Sequence, residues 1–372
     1  MKIFVHKFFG SAACLFFCAA LFVQQPAFAS KAKDPFSYFV GMEKFSKFKE
    51  TSGEQAGEIV LTSPVYEIPI QWNELVPSWN ADAPKGTFLK VEVRGIYPDH
   101  TTKFYNLGIW SPDDSHIARQ SVRGQKDDDG NVSTDTLILN RPGAKAQIRI
   151  TLGGVEKGKR PKLKFLGLSF CDSKAQPTAR ASKQTAWGKE VDVIARSQNA
   201  YPNEKGWCSP TSVSMVLDHW SKKTKRSDLA LDVPELVPVI FDKGWGGTGN
   251  WPFNTAFVGT LKGMRAYVTR LSDITELEQW TEAGFPIVIS SPWHLLQDGR
   301  KNTGSGHIVV VRGFTKEGDV VINDPGTNPK TDGRRIYKRQ NVINAWKKSN
   351  NTVYLIYPEK VKIPKDLLGH WE

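Results

Sequence analysis

Two hydrophobic rhythms divide this chain. From Glu58 to Phe170 the apolar residues recur with period two. Phe88 to Val93 alternates cleanly, and Thr136 to Leu139, Gln147 to Leu152 and Leu163 to Phe170 follow as further strands. Turn-forming clusters separate them at Asp82-Ala83-Pro84-Lys85-Gly86, Asp127 to Asn131 and Asn140-Arg141-Pro142-Gly143. Short strands at this spacing predict an all-β antiparallel sandwich over 58–171. From Trp187 the rhythm changes. Val213, Val216, Leu217 and Trp220 stand at i, i+3, i+4 and i+7, the buried stripe of an amphipathic helix. Phe253 to Gly263 and Ile274 to Ala283 also read as helices. Strands are expected at Pro286 to Ser290, Ile308 to Phe314, Val320 to Asn323 and Val353 to Tyr357. Residues 187–360 are therefore expected to form an α+β domain. Asp172 to Ala186 is polar and reads as a linker. Residues 30–57 read as a loosely held leader or short helix, and 361–372 as a tail.

Composition adds a compartment. Lys2 and Lys7 precede an apolar run from Phe8 to Val23, and Ala27-Phe28-Ala29 ends it in a small-x-small pattern. This is the pattern of an export signal over 1–29, with Ser30 as the mature start. The run is too short for a membrane span, and no second one follows. Removing the two lysines lowers the formal charge from +12 to +10. The basic residues are scattered, without a nucleic-acid motif, so the surface reads as soluble and self-repelling, with an anionic cell envelope as one partner it could meet. Of four cysteines, Cys14 and Cys18 leave with the signal, and Cys171 and Cys208 stay. Two cysteines without paired histidines make no metal set, and no cofactor is expected.

The candidate chemistry centres on Cys208. It opens the amphipathic helix in Gly206-Trp207-Cys208-Ser209-Pro210, with Pro210 suited to a first helical turn. A helix N-terminus favours the thiolate, the reactive form of cysteine. His219 lies 11 residues along the same helix, roughly 16 Å away, too far to be its base. His307 opens the strand Ile308 to Phe314, and Asp324 closes Val320 to Asn323 after a turn through Lys316-Glu317-Gly318. A hairpin centred there places His307 and Asp324 at one end, where the carboxylate can orient the ring. Asn323 points to the other strand face. Gln198, ten residues upstream, can supply an N–H to an oxyanion together with the backbone of Cys208. His294, beside Trp293, reads as a rim or packing residue.

These residues carry a family resemblance. Gln198 with Gly-Trp-Cys208-Ser-Pro-Thr-Ser, then Gly306-His307-Ile-Val-Val-Val-Arg-Gly, then Val-Ile-Asn323-Asp324-Pro, resemble the C39-like cysteine peptidases. The resemblance continues through Gly-Thr-Gly-Asn250-Trp251-Pro-Phe-Asn254 and Ala283-Gly284-Phe285-Pro286 to Ala345-Trp346 and Val353-Tyr354. It implies a papain-like fold and a Cys-His-Asp site, with Cys208 as nucleophile, His307 as base, Asp324 as orienter and Gln198 as oxyanion donor. The preceding segment, with Val76-Pro77-Ser78-Trp79-Asn80 and Gly108-Ile109-Trp110, resembles the N-terminal part of secreted bacterial members. The expected reaction is cleavage of a peptide or amide bond through a thioester. Acyl transfer or peptidoglycan amide hydrolysis on the same site, and a non-catalytic envelope-binding module, are the alternatives.

The Gly-rich loop Gly244 to Pro252 lacks a following Lys-Ser/Thr and so is no phosphate loop. It reads as a cleft wall, and Trp207, Trp245, Asn250 and Trp251 are candidates to line the substrate cleft. Asp127 to Asp135 resembles a calcium loop in its acids but lacks the required Gly and Glu, and reads as a hairpin turn. Trp72, Trp79 and Trp110 read as core rather than a glycan platform.

Overall fold

The computed structural model describes residues 34–201, 206–298 and 306–372. The expected export signal lies outside the described residues. Nine strands build the first sheet: β1 (Ser37–Met42), β2 (Lys49–Ser52), β3 (Ile59–Thr62), β4 (Tyr66–Asp82), β5 (Thr87–Ile96), β6 (Tyr105–Trp110), β7 (Gly130–Ser133), β8 (Thr136–Gly154) and β9 (Lys162–Cys171). All its pairings are antiparallel. The expected sandwich of two separate sheets is not what forms. One continuous sheet curls into a half-barrel, because β4 and β8 are long and serve both halves. β8 begins against β7 and β4 and ends between β5 and β3, so that Leu152 faces both Leu89 and Ile59. β4 changes register at irregularities on either side of Trp72 and then runs beside β9 from Glu74 to Asp82. Bulges of this kind bend a strand and increase its twist. Trp72, Trp79 and Trp110 are buried in the enclosed core, closed to any glycan.

The expected leader is part of this sheet. β1 pairs with β9 from Ser37 opposite Cys171 to Met42 opposite Leu166, and β2 pairs with β3. A strand of six residues whose partner lies some 130 positions away leaves no local signature.

The second sheet holds β10 (Met264–Arg270), β11 (Ile287–Pro292), β12 (Gly306–Phe314), β13 (Val320–Asn323), β14 (Arg334–Tyr337) and β15 (Thr352–Pro358), in the order β10-β15-β11-β12-β13-β14. The helices α1 (Cys208–Thr224), α2 (Val233–Ile240), α3 (Trp251–Thr260), α4 (Ile274–Glu282), α5 (Trp293–Asp298) and α6 (Arg339–Trp346) complete this α+β half. Its edge strand β10 is not left open. The Ser78 hydroxyl accepts from the Val268 N–H at 2.8 Å. The Asn80 amide accepts from the Ala266 N–H at 3.2 Å and donates to the Ala266 carbonyl at 2.7 Å. Two side chains from one face of β4 thus satisfy an edge that would otherwise recruit another strand. The cores also interlock. Phe253 and Ala256 of α3 enter the first core, while Phe39, Val76 and Phe165 join the second.

The segment expected as a linker is a strap docked along α4. Arg180 donates its backbone N–H to Asp273 at 2.5 Å, Ser182 its hydroxyl to Glu278 at 2.7 Å, and Thr185 its hydroxyl to Glu282 at 2.7 Å. Its polar composition reflects polar docking rather than slack. The expected tail is likewise packed. His370 is fully buried, 3.1 Å from Asp34 and 2.9 Å from Glu276, and Trp371 stacks edge-on against Trp280. Burial pushes the His370 ring down, but the Glu276 charge and the Asp34 hydrogen bond outweigh it and hold the ring at about 9.

Candidate active site

Cys208 is the first residue of α1. The cap residue, Trp207, makes no side-chain cap hydrogen bond. The expected stripe of Val213, Val216, Leu217 and Trp220 is fully buried. The helix is pinned to the sheet at three points. Ser209 pairs with the Tyr354 hydroxyl at 3.0 Å, Ser212 donates to the Ile308 carbonyl at 3.2 Å, and the Trp220 indole donates to the Ile356 carbonyl at 2.8 Å. These contacts set α1 against the start of β12, where His307 stands.

β12 and β13 form the expected hairpin. Gly318 holds φ +85° in its turn, and a Cβ there would come within 2.4 Å of the Trp187 ring. Val310 faces Asn323, so Asp324 leaves β13 close to His307. The ring Nε2 lies 2.7 Å from Asp324 Oδ1. That leaves Nδ1 for the Cys208 thiol, the ring's other hydrogen-bond partner. Asn323 turns the other way, donating to the Val193 and Ile194 carbonyls at 3.0 and 3.1 Å.

The surroundings of Asp324 explain its charge. Its Oδ1 also accepts from the Gly326 N–H at 2.7 Å, and its Oδ2 accepts from the Tyr337 hydroxyl at 2.6 Å. Burial alone would raise this carboxyl, but the His307 ring, Tyr337 and Gly326 together hold it below the usual carboxylate range. For His307 burial pulls the other way, toward the neutral ring. The hydrogen bonds to Asp324 and Cys208, and the charges behind them, overcome it and hold the ring at about 10. These partners favour the protonated imidazole at neutral pH. Tyr337 is the residue that sequence reasoning missed. It sits on β14 among Arg334, Arg335 and Ile336, a stretch with no hydrophobic alternation to announce it.

The other expected site residues scatter in their parts. Gln198 opens a single 3-10 turn, and its backbone N–H donates to the Pro325 carbonyl at 2.9 Å, which ties it to the loop just after Asp324. Its side-chain Oε1 is buried without a hydrogen-bond partner. Trp207 is half-buried and stacks obliquely on Tyr201, 6.1 Å between ring centres. Trp245 is 45% exposed and lies over Gly247 and Gly249, where added Cβ atoms would fall 2.6 and 2.9 Å from its ring. Asn250 must be removed from the cleft. It is fully buried, accepts from the Phe253 N–H at 3.1 Å as the N-cap of α3, and donates to Asp242 at 2.9 Å. Trp251 is half-buried against the core, and its N–H donates to Asp135 of the first sheet at 2.7 Å. His219 bonds the Asp192 carbonyl at 2.8 Å, far along α1. His294 lies in the short helix α5, with its ring edge-on to Trp293. Cys171 and Cys208 are both free thiols, and Cys171 is buried in the first sheet.

The connection between β6 and β7 also braces the loop beside Cys208. The buried Asp242 carboxylate accepts from the N–H groups of Ser121, Gly244 and Trp245 at 2.8, 2.9 and 3.1 Å. From that loop Thr248 donates to the Gly206 carbonyl at 2.7 Å, two residues before Cys208.

A cysteine heading a buried helix, with a histidine and a carboxylate in line behind it, has the layout of a thiol hydrolase site. The comparisons with known proteins give the family. Residues 190–354 match the Peptidase_C39 like family, and residues 50–170 match the Peptidase C39 N-terminal domain. Residues 190–354 are thus a C39-like peptidase domain, and the segment before it is the N-terminal domain found with such peptidases. A crystal structure of a candidate C39-like peptidase from Bacillus anthracis is similar over 48% of this chain and 100% of its own, at 18% identity and a TM-score of 0.35. No curated protein matches the chain. The match of residues 190–354 points to a cysteine peptidase-like function.

Proposed function

We propose that this protein is an exported cysteine hydrolase that cuts a peptide or peptidoglycan-type amide bond. The observation that carries the reading is the continuous line from Cys208 through His307 to Asp324 and Tyr337. The Cys208 thiolate attacks the carbonyl carbon, and the negative oxygen is received by the Cys208 backbone N–H and the Gln198 side chain. The His307 imidazolium gives its proton to the leaving nitrogen, and the C–N bond breaks to leave a thioester. Water then attacks the thioester while the neutral His307 takes its proton. The C–S bond breaks, releasing the acid and restoring the thiolate and imidazolium. Asp324 keeps Nδ1 aimed at sulfur throughout. The connection between β6 and β7 serves as a brace for the loop beside Cys208, and the signal at 1–29 directs the chain out of the cell.

The test is cleavage of a broad peptide library and of peptidoglycan fragments, read by mass spectrometry with the C208A protein as control. Cleavage that needs Cys208, with a thioester trapped by hydroxylamine, supports the reading. Equal product from both proteins, or none from either, overturns it.

A further inference from the structure

Basic residues that look scattered along the sequence gather at one end of the fold. Residues 157–164, where β8 turns into β9, hold Lys157, Lys159, Arg160, Lys162 and Lys164. The strands fix where that turn lies. Asp82 of β4 faces Lys162 of β9, and two residues earlier Asn80 holds Ala266 of β10. Ser78 holds Val268, so β4 and β10 run in opposite directions and Asp82 comes out beside the start of β10. There Met264 faces Pro358, the end of β15, and the Gly263 carbonyl accepts from the Glu359 N–H at 2.9 Å. The Lys262 carbonyl accepts from the Arg226 guanidinium at 2.6 Å, which brings in the C-terminal end of α1. Arg265 lies 4.2 Å over the ring of Phe165, the residue after Lys164. Four stretches remote in sequence therefore end together.

The charges at this end do not balance. Asp82 is met by Lys164 at 2.9 Å, Glu156 by Lys159 at 3.0 Å, Asp228 by Arg226 at 2.5 Å, and Glu43 and Glu359 by Arg265 at 2.7 and 3.5 Å. Lys157, Arg160, Lys162, Lys225, Lys262 and Lys360 are exposed, and their side chains have no carboxylate or hydrogen-bond partner among the described residues. Glu54 and Glu58, in the turn whose Gly57 packs on Lys157, and Glu372, whose charge reaches Tyr357, offset only part of this excess. The six cations come from a hairpin, a helix end, a loop and a strand end, which is the layout of a face rather than a line. A plane of negative charge meets such a face, whereas a threaded polymer meets a line. Val155 opens the same hairpin and is 56% exposed, the most of the large apolar side chains among the described residues. An apolar tip among lysines suits the boundary where phosphate headgroups give way to acyl chains. α1 sets the orientation, since Cys208 heads it and this end closes it, about 25 Å apart along the helix. We infer that this end of the molecule docks on a bilayer of anionic phospholipid, with the six cations at the headgroup phosphates, Val155 below them, and Cys208 turned away from the lipid. This holds whether or not Cys208 cuts a bond.

The experiment is sedimentation of residues 30–372 with vesicles of phosphatidylglycerol and phosphatidylcholine, against vesicles of phosphatidylcholine alone. The protein starts at Ser30 because the apolar run Phe8 to Val23 would itself enter a bilayer. Binding to the anionic vesicles only, weakening as salt rises, is the expected result. Lys157→Gln with Lys162→Gln should weaken it about 25-fold, or about fivefold for each cation beside an anionic surface. Lys225→Gln with Lys262→Gln should do the same, since the two pairs share one face. Lys126→Gln with Lys330→Gln removes equal charge from exposed positions elsewhere and should stay within about twofold. Val155→Ser should cost a few-fold on vesicles and nothing on inorganic polyphosphate titrated calorimetrically. Equal binding to both vesicle types, or an equal loss in all three paired variants, overturns the docking face. Loss with the hairpin pair alone overturns the single plane. Tight binding of polyphosphate without binding of vesicles means that the partner is a polymer, and the lipid assignment falls.

Discussion

Replacing Asp324 by Asn tests the electrostatic core of the site. The substitution keeps size and an acceptor near His307 but removes the charge. In the native site the ring is held at about 10, against an ordinary 6.5, although burial alone would push it down. That difference corresponds to about 5 kcal/mol of preference for the charged ring, to order of magnitude. The ring is only 6% exposed, so solvent does little to screen it. With the carboxylate gone, burial, already the largest single influence, is opposed by Cys208 alone, and the ring's titration should move well down from its native position. The proton needed by the leaving nitrogen is then held less firmly. Turnover should fall by about 10²–10⁴, the range for losing a carboxylate behind a catalytic histidine. The direct assay is the pH titration of the His307 ring by nuclear magnetic resonance in both proteins. The sign for stability follows from the same values. His307 is raised, so its contribution is complete below about 6.5 and is lost as pH rises through about 10. Asp324 is lowered, so its contribution is present above its ordinary 3.8 and is lost as pH falls through its folded value. A wild-type ring that titrates near 6.5, or a ring that D324N leaves unmoved, would refute the reasoning.

Three further outcomes are expected. Iodoacetamide should label native protein at Cys208 and spare Cys171, whose buried thiol is pushed up to about 12, with the second label appearing only in denaturant; mass mapping checks this, and a native label on Cys171 would sink it. Asn80→Ala should destabilise the protein by about 2–4 kcal/mol in urea unfolding, since it strands the N–H and carbonyl of Ala266 in the buried junction, and a loss below 1 kcal/mol would mean the edge of β10 needs no cap. With a substrate in hand, C208A and H307A should each abolish turnover and together cost little more, while H294A stays within a few-fold of the parent; a dead H294A beside an active H307A would show that the wrong histidine was chosen.

The catalytic candidates were legible because their partners are local or patterned. The stripe behind Cys208 repeats at helical spacing, and His307 and Asp324 are joined by one short hairpin. What escaped has its cause elsewhere in the chain. β10, Met264–Arg270, is buried along its whole length on both faces yet carries two arginines, so no alternation shows. Those arginines are tolerated because Arg265 finds Glu43, just after β1, at 2.7 Å and Arg270 finds Glu74 of β4 at 2.8 Å. Asn250 looked like a cleft residue because a Gly-rich loop surrounds it, whereas its amide is consumed by a helix cap and Asp242. Tyr337 was hidden by its basic neighbours, and its meaning depends on where Asp324 ends.

The meeting of Asp34 with His370 bears on the order in which the molecule can be assembled. The two residues stand 336 positions apart, and both are wholly buried with Glu276. A growing chain exposes Asp34 long before His370. Until His370 arrives, Asp34 and Glu276 would be two like charges in a dry pocket, with Arg180 3.6 Å from Glu276 as a partial counterweight. β1, which Phe39 anchors to the Gly369 carbonyl at 2.8 Å, waits on the same residues. The pocket around Asp34 and Glu276 therefore gains its full counter-charge only when the segment carrying His370 docks, which ties closure of β1 to a contact made across nearly the whole described chain.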